Sequence, residues 1–594
     1  MTGWKFHGRE NEIRDICSFL QVGPGLGDRP LLFGAGFVMG RRGTGKTSLV
    51  EEVLARHCKD PERPGIIVEL EETSDPDEIR GNLRQSVVES GFAHLLKGEP
   101  PDSVTAPPYR PRTLVEHLLG QGAILVLDEF HHAALSRAFL NGVRTVINRM
   151  HTRRANKERG GKLLLVGSHQ QKMASFFQHG GVLSEIVRKV LDLKPWGACE
   201  TMEMATESGL LQERRKFLSM WTACGGIPRE WERMSEDAAR MERAEMKGED
   251  WHEAFVTNER RFLLENPRRL WNNRAYVSLG GGFEATLRTM AESPLKGFTA
   301  EEVVETMNRK GKWLFLPGDG KMPEISPEPT KESRKPGFQA EILADGLDLM
   351  EGTMSLVESG IPFGAQGPVF WRISDAVALF QLHVCPEFFS KARAKFFRKE
   401  SEKTPGFMED RLSALEGLAF ERLCASWISE VLDATWEDRG AALPGREQDV
   451  DVLAEVDGRL SFGFCKKNGN AHRPEKDVRV RKAFEGFLKG RKAGEHVTEQ
   501  ARRSRKALER RRVHMVFSLG ISEGKKQEIE TGIRQEESKA DLSEASVRFE
   551  DLGSMAEAAL RKLAEDRNFR REWLRAQERM PGGRRGRTHG PRAP

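Results

Sequence analysis

Cysteine is scarce in this chain: seven residues among 594. They lie far apart, with no Cys-x-x-Cys and no Cys/His pairing at zinc spacing, which excludes a disulfide framework and a zinc site in favour of free thiols. Long apolar runs are missing too. The longest stretch, Pro30 to Gly40, is broken by glycines and is roughly half the ~20 residues that a membrane span requires. No transmembrane segment is expected. The opening MTGWKFHGRE carries charge where a signal peptide would place its apolar core, so the chain is expected to stay in the cytoplasm.

Against these absences stands an ordinary globular composition. The 38% hydrophobic fraction becomes about 48% once 58 glycines are added and two tyrosines removed, which excludes disorder as the general state. The length corresponds to roughly three to five domains. Net charge is only +5, but it is unevenly spread. Between Lys466 and Arg512 there are 17 Lys/Arg against 6 Asp/Glu, and the tail from Arg567 to Pro594 is again rich in arginine. A solvated helix face and a nucleic-acid surface both fit such a stretch.

The chemistry begins near the N-terminus. Phe37-Val38-Met39 reads as a short strand leading into Gly40-Arg41-Arg42-Gly43-Thr44-Gly45-Lys46-Thr47, and Ser48 onward reads as a helix. Strand, Walker A loop and helix follow one another. In this arrangement Gly40, Gly43 and Gly45 let backbone amides of the loop, Thr44 and Ser48 among them, curl around phosphates. Lys46 reaches the β- and γ-phosphate oxygens, and the Thr47 hydroxyl is a Mg²⁺ ligand. A buried strand, Ala123 to Leu127, ends in Asp128-Glu129, the order of a Walker B site. Asp128 would hold Mg²⁺ through water, and Glu129 would orient and deprotonate the attacking water. Another strand, Ile66 to Leu70, lies between the motifs, and Leu163 to Val166 runs into Gly167-Ser168-His169. There Ser168 could sense the γ-phosphate or merely cap a loop. Strands alternating with helices over residues 1–195 predict a parallel, doubly wound α/β core.

Gly8-Arg9-Glu10 before the first helix, the GRRGTGKTSL loop, LVLDEF, LLLVGSHQQKM and LDLKPW together resemble the archaeal-type ATPases of the AAA+/STAND group. Cys224-Gly225-Gly226-Ile227-Pro228 is similar to the Gly-Gly-x-Pro element of that family's helical lid. The resemblance implies ATP as ligand, Gly8 and Arg9 near the adenine, and Arg188 as the match to an arginine before the last core strand, either a finger on the γ-phosphate or a surface residue. His131 stands where the family usually has glutamine.

Residues 196–282 read as lid and connector, and 283–385 as a winged-helix-like module with a flexible insert at 311–337. Its expected parts are helices at Phe283 to Glu292, Ala300 to Asn308 and about Gly346 to Ser359, then a turn at Gly360 to Pro362 and a strand at Val369 to Ile373. Such a module binds DNA in some proteins and spaces domains in others. After a linker at 386–410, residues 411–565 hold an amphipathic helix from Gly417, a strand through Gln448 to Ala454, a turn at Asp457-Gly458 and a return strand, Leu460 to Lys466. This α/β segment resembles the restriction-endonuclease-like fold, with Glu421, Asp451 and Lys466 as the motif matches. It departs where Gly463-Phe464-Cys465-Lys466 puts phenylalanine at the position of a metal-binding carboxylate. Phe464 is expected beside Lys466 in the metal pocket, where it supplies no oxygen ligand, with Glu447 or Asp449 as candidate substitutes. Residues 566–594 are expected to be a disordered basic tail.

The resulting expectation is an ATP-binding and ATP-hydrolysing switch protein associated with DNA through 466–512 and the winged-helix-like module, possessing a degenerate nuclease-like domain, with no membrane partner and with oligomers allowed. Its rivals are an ATP-gated DNA endonuclease of defence or repair, and a non-catalytic DNA-binding scaffold with structural nucleotide.

Overall fold

The computed structural model describes residues 8–22, 33–58, 64–71, 75–99, 110–156, 160–168, 186–243, 298–315, 324–326, 338–349, 357–360, 369–373, 407–442, 449–490, 512–540 and 544–579, with single residues and short turns between them. Most of the expected linker at 386–410, most of 244–282, His169 and Glu447 lie outside this set. So do all of the basic cluster 502–506 except Ser504, and the tail beyond 579.

Five strands form the first sheet: β1 (Gly34–Gly40), β2 (Gly65–Glu69), β3 (Ile124–Asp128), β4 (Lys162–Gly167) and β5 (Arg188–Leu193). Their order is β2-β3-β4-β1-β5 and every pair is parallel. Every residue of β3 and β4 is buried, as a sheet covered on both faces requires. Alternate side chains go to opposite layers. Leu125, Leu127, Leu163 and Leu165 pack towards Ile79, Leu114 and Phe139, from helices α3 (Pro76–Glu89), α4 (Arg110–Gly120) and α5 (Arg137–Ala155). Ile124, Val126, Leu164 and Val166 pack towards Ile13, Ile16, Leu49 and Val53, from α1 (Glu10–Leu20) and α2 (Lys46–His57). Helix starts are set locally: Asp75 accepts from the amide of Asp77 ahead of Pro76, and Ser136 from that of Phe139, each satisfying an orphan N–H of the first turn.

Three helices follow, α6 (Ala198–Glu207), α7 (Arg214–Cys224) and α8 (Pro228–Arg243). The next module runs β6 (Phe298–Thr299), α9 (Ala300–Arg309), β7 (Trp313–Phe315), β8 (Glu324–Ser326), α10 (Phe338–Leu349), β9 (Val357–Gly360) and β10 (Phe370–Ile373). Thr299 and Glu302 form a capping box at α9. Strands β6, β10 and β9 make an antiparallel sheet. Two expectations change here. The helix expected over 346–359 lies at 338–349, and 357–360 is a strand because Val357 pairs with Ile373 and both are buried. The insert at 311–337 contains the β7–β8 hairpin.

The last unit comprises α11 (Phe407–Val431), β11 (Trp436–Ala442), β12 (Asp449–Val456), β13 (Arg459–Cys465), α12 (Pro474–Gly490), β14 (Val513–Ser518), α13 (Glu523–Lys539), β15 (Ser546–Asp551) and α14 (Leu552–Arg579). The sheet order is β11 to β15, antiparallel for the first three strands and parallel for the last three. The β12–β13 turn is where the sequence placed it: Asp457 and Gly458 both have positive φ, 52° and 67°, as a tight two-residue hairpin turn requires. Helix α14 continues past 565, since no glycine or proline interrupts it between Ser554 and Arg579. One apolar core joins the lid to this unit, with Trp221 and Phe217 of α7 in the same cluster as Phe420 and Trp427 of α11 and Phe517 of β14. No helix among the described residues is long and apolar enough to cross a membrane.

Candidate nucleotide site

Because β4 lies between β1 and β3, three adjacent strand ends deliver the motif residues to one place. A cavity of about 730 Å³ opens there, lined by the loop from Gly43 to Ser48, by Asp128, Glu129 and Ser168, and by Arg9 and Arg229. The loop needs its glycines. Gly43 has φ +85°, and a Cβ on it would stand 3.1 Å from Ile227 and 3.3 Å from Arg229 Cβ; the Arg229 amide donates to Gly43 O at 3.3 Å. The lid therefore rests directly on the phosphate loop.

Lys46 Nζ donates to the carbonyls of Gly40 and Arg41, at 2.9 and 2.8 Å. Burial pushes its pKa down to about 8, against the pull of Glu129 and Asp128. Thr47 Oγ1 donates to Asp128 Oδ2 at 2.5 Å. Burial raises the Asp128 pKa, opposed by the bonds from Thr47 and from the Glu129 amide. Glu129 adopts the left-handed conformation at φ 49°, directly after the last residue of β3. Its Oε2 accepts from Ser168 Oγ at 2.7 Å and lies 3.1 Å from His131 Nδ1. Burial favours the neutral acid, but His131 and Ser168, with Lys46, outweigh it and hold Glu129 down to about 2.

Arg9 is buried and left-handed at φ 63°; it donates to Lys194 O at 2.6 Å and to Glu12 at 3.0 Å. Gly8 lies against Glu200, whose Cγ would be 2.5 Å from a Cβ there. Arg188 stands apart. It opens β5 beside Gly36, is exposed, and does not line the cavity. Arg42, Glu69 and Arg229, which do line it, were missed by the sequence reading. Arg229 had a signal, since it directly follows the Gly-Gly-x-Pro element.

In the last unit Asp451 and Lys466 meet. Asp451 Oδ2 accepts from Lys466 Nζ at 3.0 Å and from the Cys465 amide at 2.6 Å. Burial lowers the Lys466 pKa, but the Asp451 charge more than compensates and raises it. Glu421 is half-buried on α11, close enough for its charge to act on both the Cys424 and Cys465 thiols. Phe464 lies on β13, two residues before Lys466 and, by the β12–β13 register, opposite Asp451. It is 2% exposed and packs with Val480 and Phe484 in the core, its ring stacked on His514 at 4.8 Å. This face of β13 is covered by Val480, Phe484 and Leu488 of α12. Among the described residues no group of three or more His, Cys, Asp or Glu is placed to hold a metal.

Residues 33–172 match the family model described as AAA domain. Among solved structures, a Walker-type ATPase of Pyrococcus abyssi is similar at 15% identity and TM-score 0.41, over 64% of this chain and 96% of that one. The ORC2 protein of Aeropyrum pernix, solved as ADPNP–ADP complexes, matches at 15% identity and TM-score 0.40, over 66% and 96%. The ORC1 protein of Aeropyrum pernix, solved in complex with DNA, matches at 14% identity and TM-score 0.30, over 63% and 91%. No curated protein matches. The AAA-domain match runs from the residue before β1 to just past β4, the segment that carries Lys46, Thr47, Asp128, Glu129 and Ser168.

Proposed function

We propose that this chain is an ATP-hydrolysing switch of the AAA+ type, in which the nucleotide held at the cavity sets the position of the lid and of the modules packed behind it. The observation that carries the reading is the convergence of Lys46, Thr47, Asp128, Glu129 and Ser168 on one cavity roofed by Arg229. Loop amides and the start of α2 suit phosphate oxygens. The residues also fit Mg²⁺, because the Thr47 hydroxyl and the Asp128 carboxylate are hard oxygen donors already in contact. Bound there, Mg²⁺ would neutralise charge on the β- and γ-phosphates. Lys46 leaves its loop carbonyls for phosphate oxygens, and Glu129 orients the attacking water and accepts its proton. ATP binding and turnover by the full chain test this. Lys46→Ala should abolish binding, and Glu129→Gln should bind ATP but hydrolyse it ~10²-fold or more slowly. Unchanged affinity in the first, or unchanged turnover in the second, would reject the reading.

Association with DNA is favoured by one feature of α12 and the residue just before it. Arg473, Lys476, Arg479, Lys482 and Lys489 are all exposed, and from Lys476 on they recur at helical spacing along one side. Among the described residues Lys466 pairs with Asp451, Lys467 with Glu416, and Arg481 with Glu485 and Glu537, while in the stripe itself Arg479 pairs with Glu475 and Lys489 with Glu485. The stripe suits a phosphate backbone read by charge, so affinity should fall steeply with salt and depend little on base sequence. A complex insensitive to salt would count against it. The order of helices and strands from 285 to 373 supports a winged-helix-like module, and the Asp451–Lys466 pair supports a nuclease-like fold with a degenerate centre.

A further inference from the structure

We infer that His131 is a positioning residue for ATP hydrolysis, holding the Glu129 carboxylate in the orientation from which it addresses water; this rests on the ATPase reading above. Glu129 follows β3 in a left-handed conformation, and its carboxylate is held by contacts from neighbouring side chains. Two are present. Ser168, at the end of β4, donates to Oε2 at 2.7 Å, and His131, in the helical turn after β3, brings Nδ1 to 3.1 Å from that same oxygen. Both approach Oε2, so the other oxygen, Oε1, is the one available to a water in the cavity.

The two partners differ in how firmly they are held. Ser168 is half-buried and belongs to the cavity wall, where a γ-phosphate could draw its hydroxyl away. His131 is 4% exposed and does not line the cavity. Its ring stacks at a tilt against that of His132, 4.2 Å between centroids, and His132 is itself tied through Nδ1 to Leu70 O at 2.7 Å. This imidazole therefore approaches the carboxylate from the protein side and keeps its place when nucleotide enters. Its role is exerted through Glu129. An orienting partner behind a base is the arrangement that general-base catalysis requires.

The test compares His131→Phe, which keeps a ring and removes the polar contact, with His131→Gln, which keeps a donor within reach. Nucleotide affinity and turnover are measured separately on the full chain. Misplacing a reacting group by about 1 Å costs up to ~10²-fold; His131→Phe is expected to lower kcat about tenfold or more with ATP affinity unchanged, and His131→Gln to recover most of the loss. In the Glu129→Gln background, His131→Phe should cost nothing further. Three results would overturn the inference: wild-type turnover in His131→Phe, a loss of affinity that matches the loss of rate, or a further fall in the Glu129→Gln background. Absence of turnover in the wild-type chain would overturn the ATPase reading together with this one, whereas turnover lost in Glu129→Gln and retained in His131→Phe would overturn this inference alone.

Discussion

Glu430, near the end of α11, caps a helix that begins more than 200 residues earlier: its carboxylate accepts from the amides of Ala198 and Cys199 at 3.0 and 2.9 Å. The first turn of α6 thus takes its cap from another module. Glu200 crowds the same turn, bonded to the Gly197 amide and pressed against Gly8; burial, then the charge of Glu430, raises its pKa. Arg9 lines the nucleotide cavity one residue on from Gly8. The nucleotide pocket and the C-terminal unit are two contacts apart.

Removing the remote cap should loosen α6 selectively. Glu430→Ala is expected to cost about 1–2 kcal/mol, the usual value of a lost N-cap, and to speed hydrogen exchange at Ala198 and Cys199 first. Unchanged protection of these two amides would show that the contact is not maintained in solution.

The lid joint is predicted to be intolerant of a single methyl. The Trp196 amide donates to Gly226 O at 2.6 Å, and a Cβ on Gly226 would stand 1.9 Å from Trp196 O. Both colliding atoms are near backbone that is bonded in place, so Gly226→Ala should displace the lid from the phosphate loop and weaken ATP binding at least tenfold, ~1.4 kcal/mol. A wild-type affinity would refute this.

Phe464→Glu is expected to damage the C-terminal unit and create no nuclease. The substitution removes a ring packed on His514 and buries a carboxylate, a combined cost of about 3 kcal/mol or more. The expected observations are a lowered unfolding midpoint and intact plasmid DNA with Mg²⁺ or Mn²⁺. Nicking by the variant, lost again in Asp451→Ala, would mean that position 464 does face a metal pocket.

His514 makes the same unit sensitive to acid. It is fully buried, and burial, then the positive charges of Arg481, His472 and Arg534, holds its pKa well below the ordinary value. The folded unit thus refuses a proton that the unfolded chain accepts near pH 6.5. The stability this group contributes is complete above that pH and is lost as pH falls below it, at up to about 1.4 kcal/mol per unit. Unfolding midpoints measured from pH 8 to 5 should drop less steeply in His514→Leu than in the wild type. Parallel curves would exclude His514 as the source.

What could be read in advance follows from how local each feature is. Lys46, Thr47, Asp128 and Glu129 occupy motifs whose spacing is dictated by phosphate geometry, and strands such as Ile124–Asp128 are buried on both faces and so read as unbroken apolar runs. Strand β11, Trp-Glu-Asp-Arg-Gly-Ala-Ala, has no alternation to betray it and exists because β12 pairs with it. The packing of Phe464 on His514 and α12 was illegible because two-residue periodicity gives a face but not what covers that face. The contacts of His131 and Glu430 were illegible for a related reason: each is made across a fold, by a side chain whose partner is chosen by packing.

The shared core of α7 and α11 also has a consequence in time. Ser219 donates to Glu416 at 2.6 Å and Trp221 to Ala419 O at 3.0 Å, so the buried face of the lid lacks its cover until α11 has been made. At ~5–20 residues per second, the roughly 200 residues between these helices take on the order of 10–40 s to synthesise. For that interval a nascent chain carries a finished phosphate loop beneath a lid whose apolar side is bare, the period in which chaperone protection would matter most.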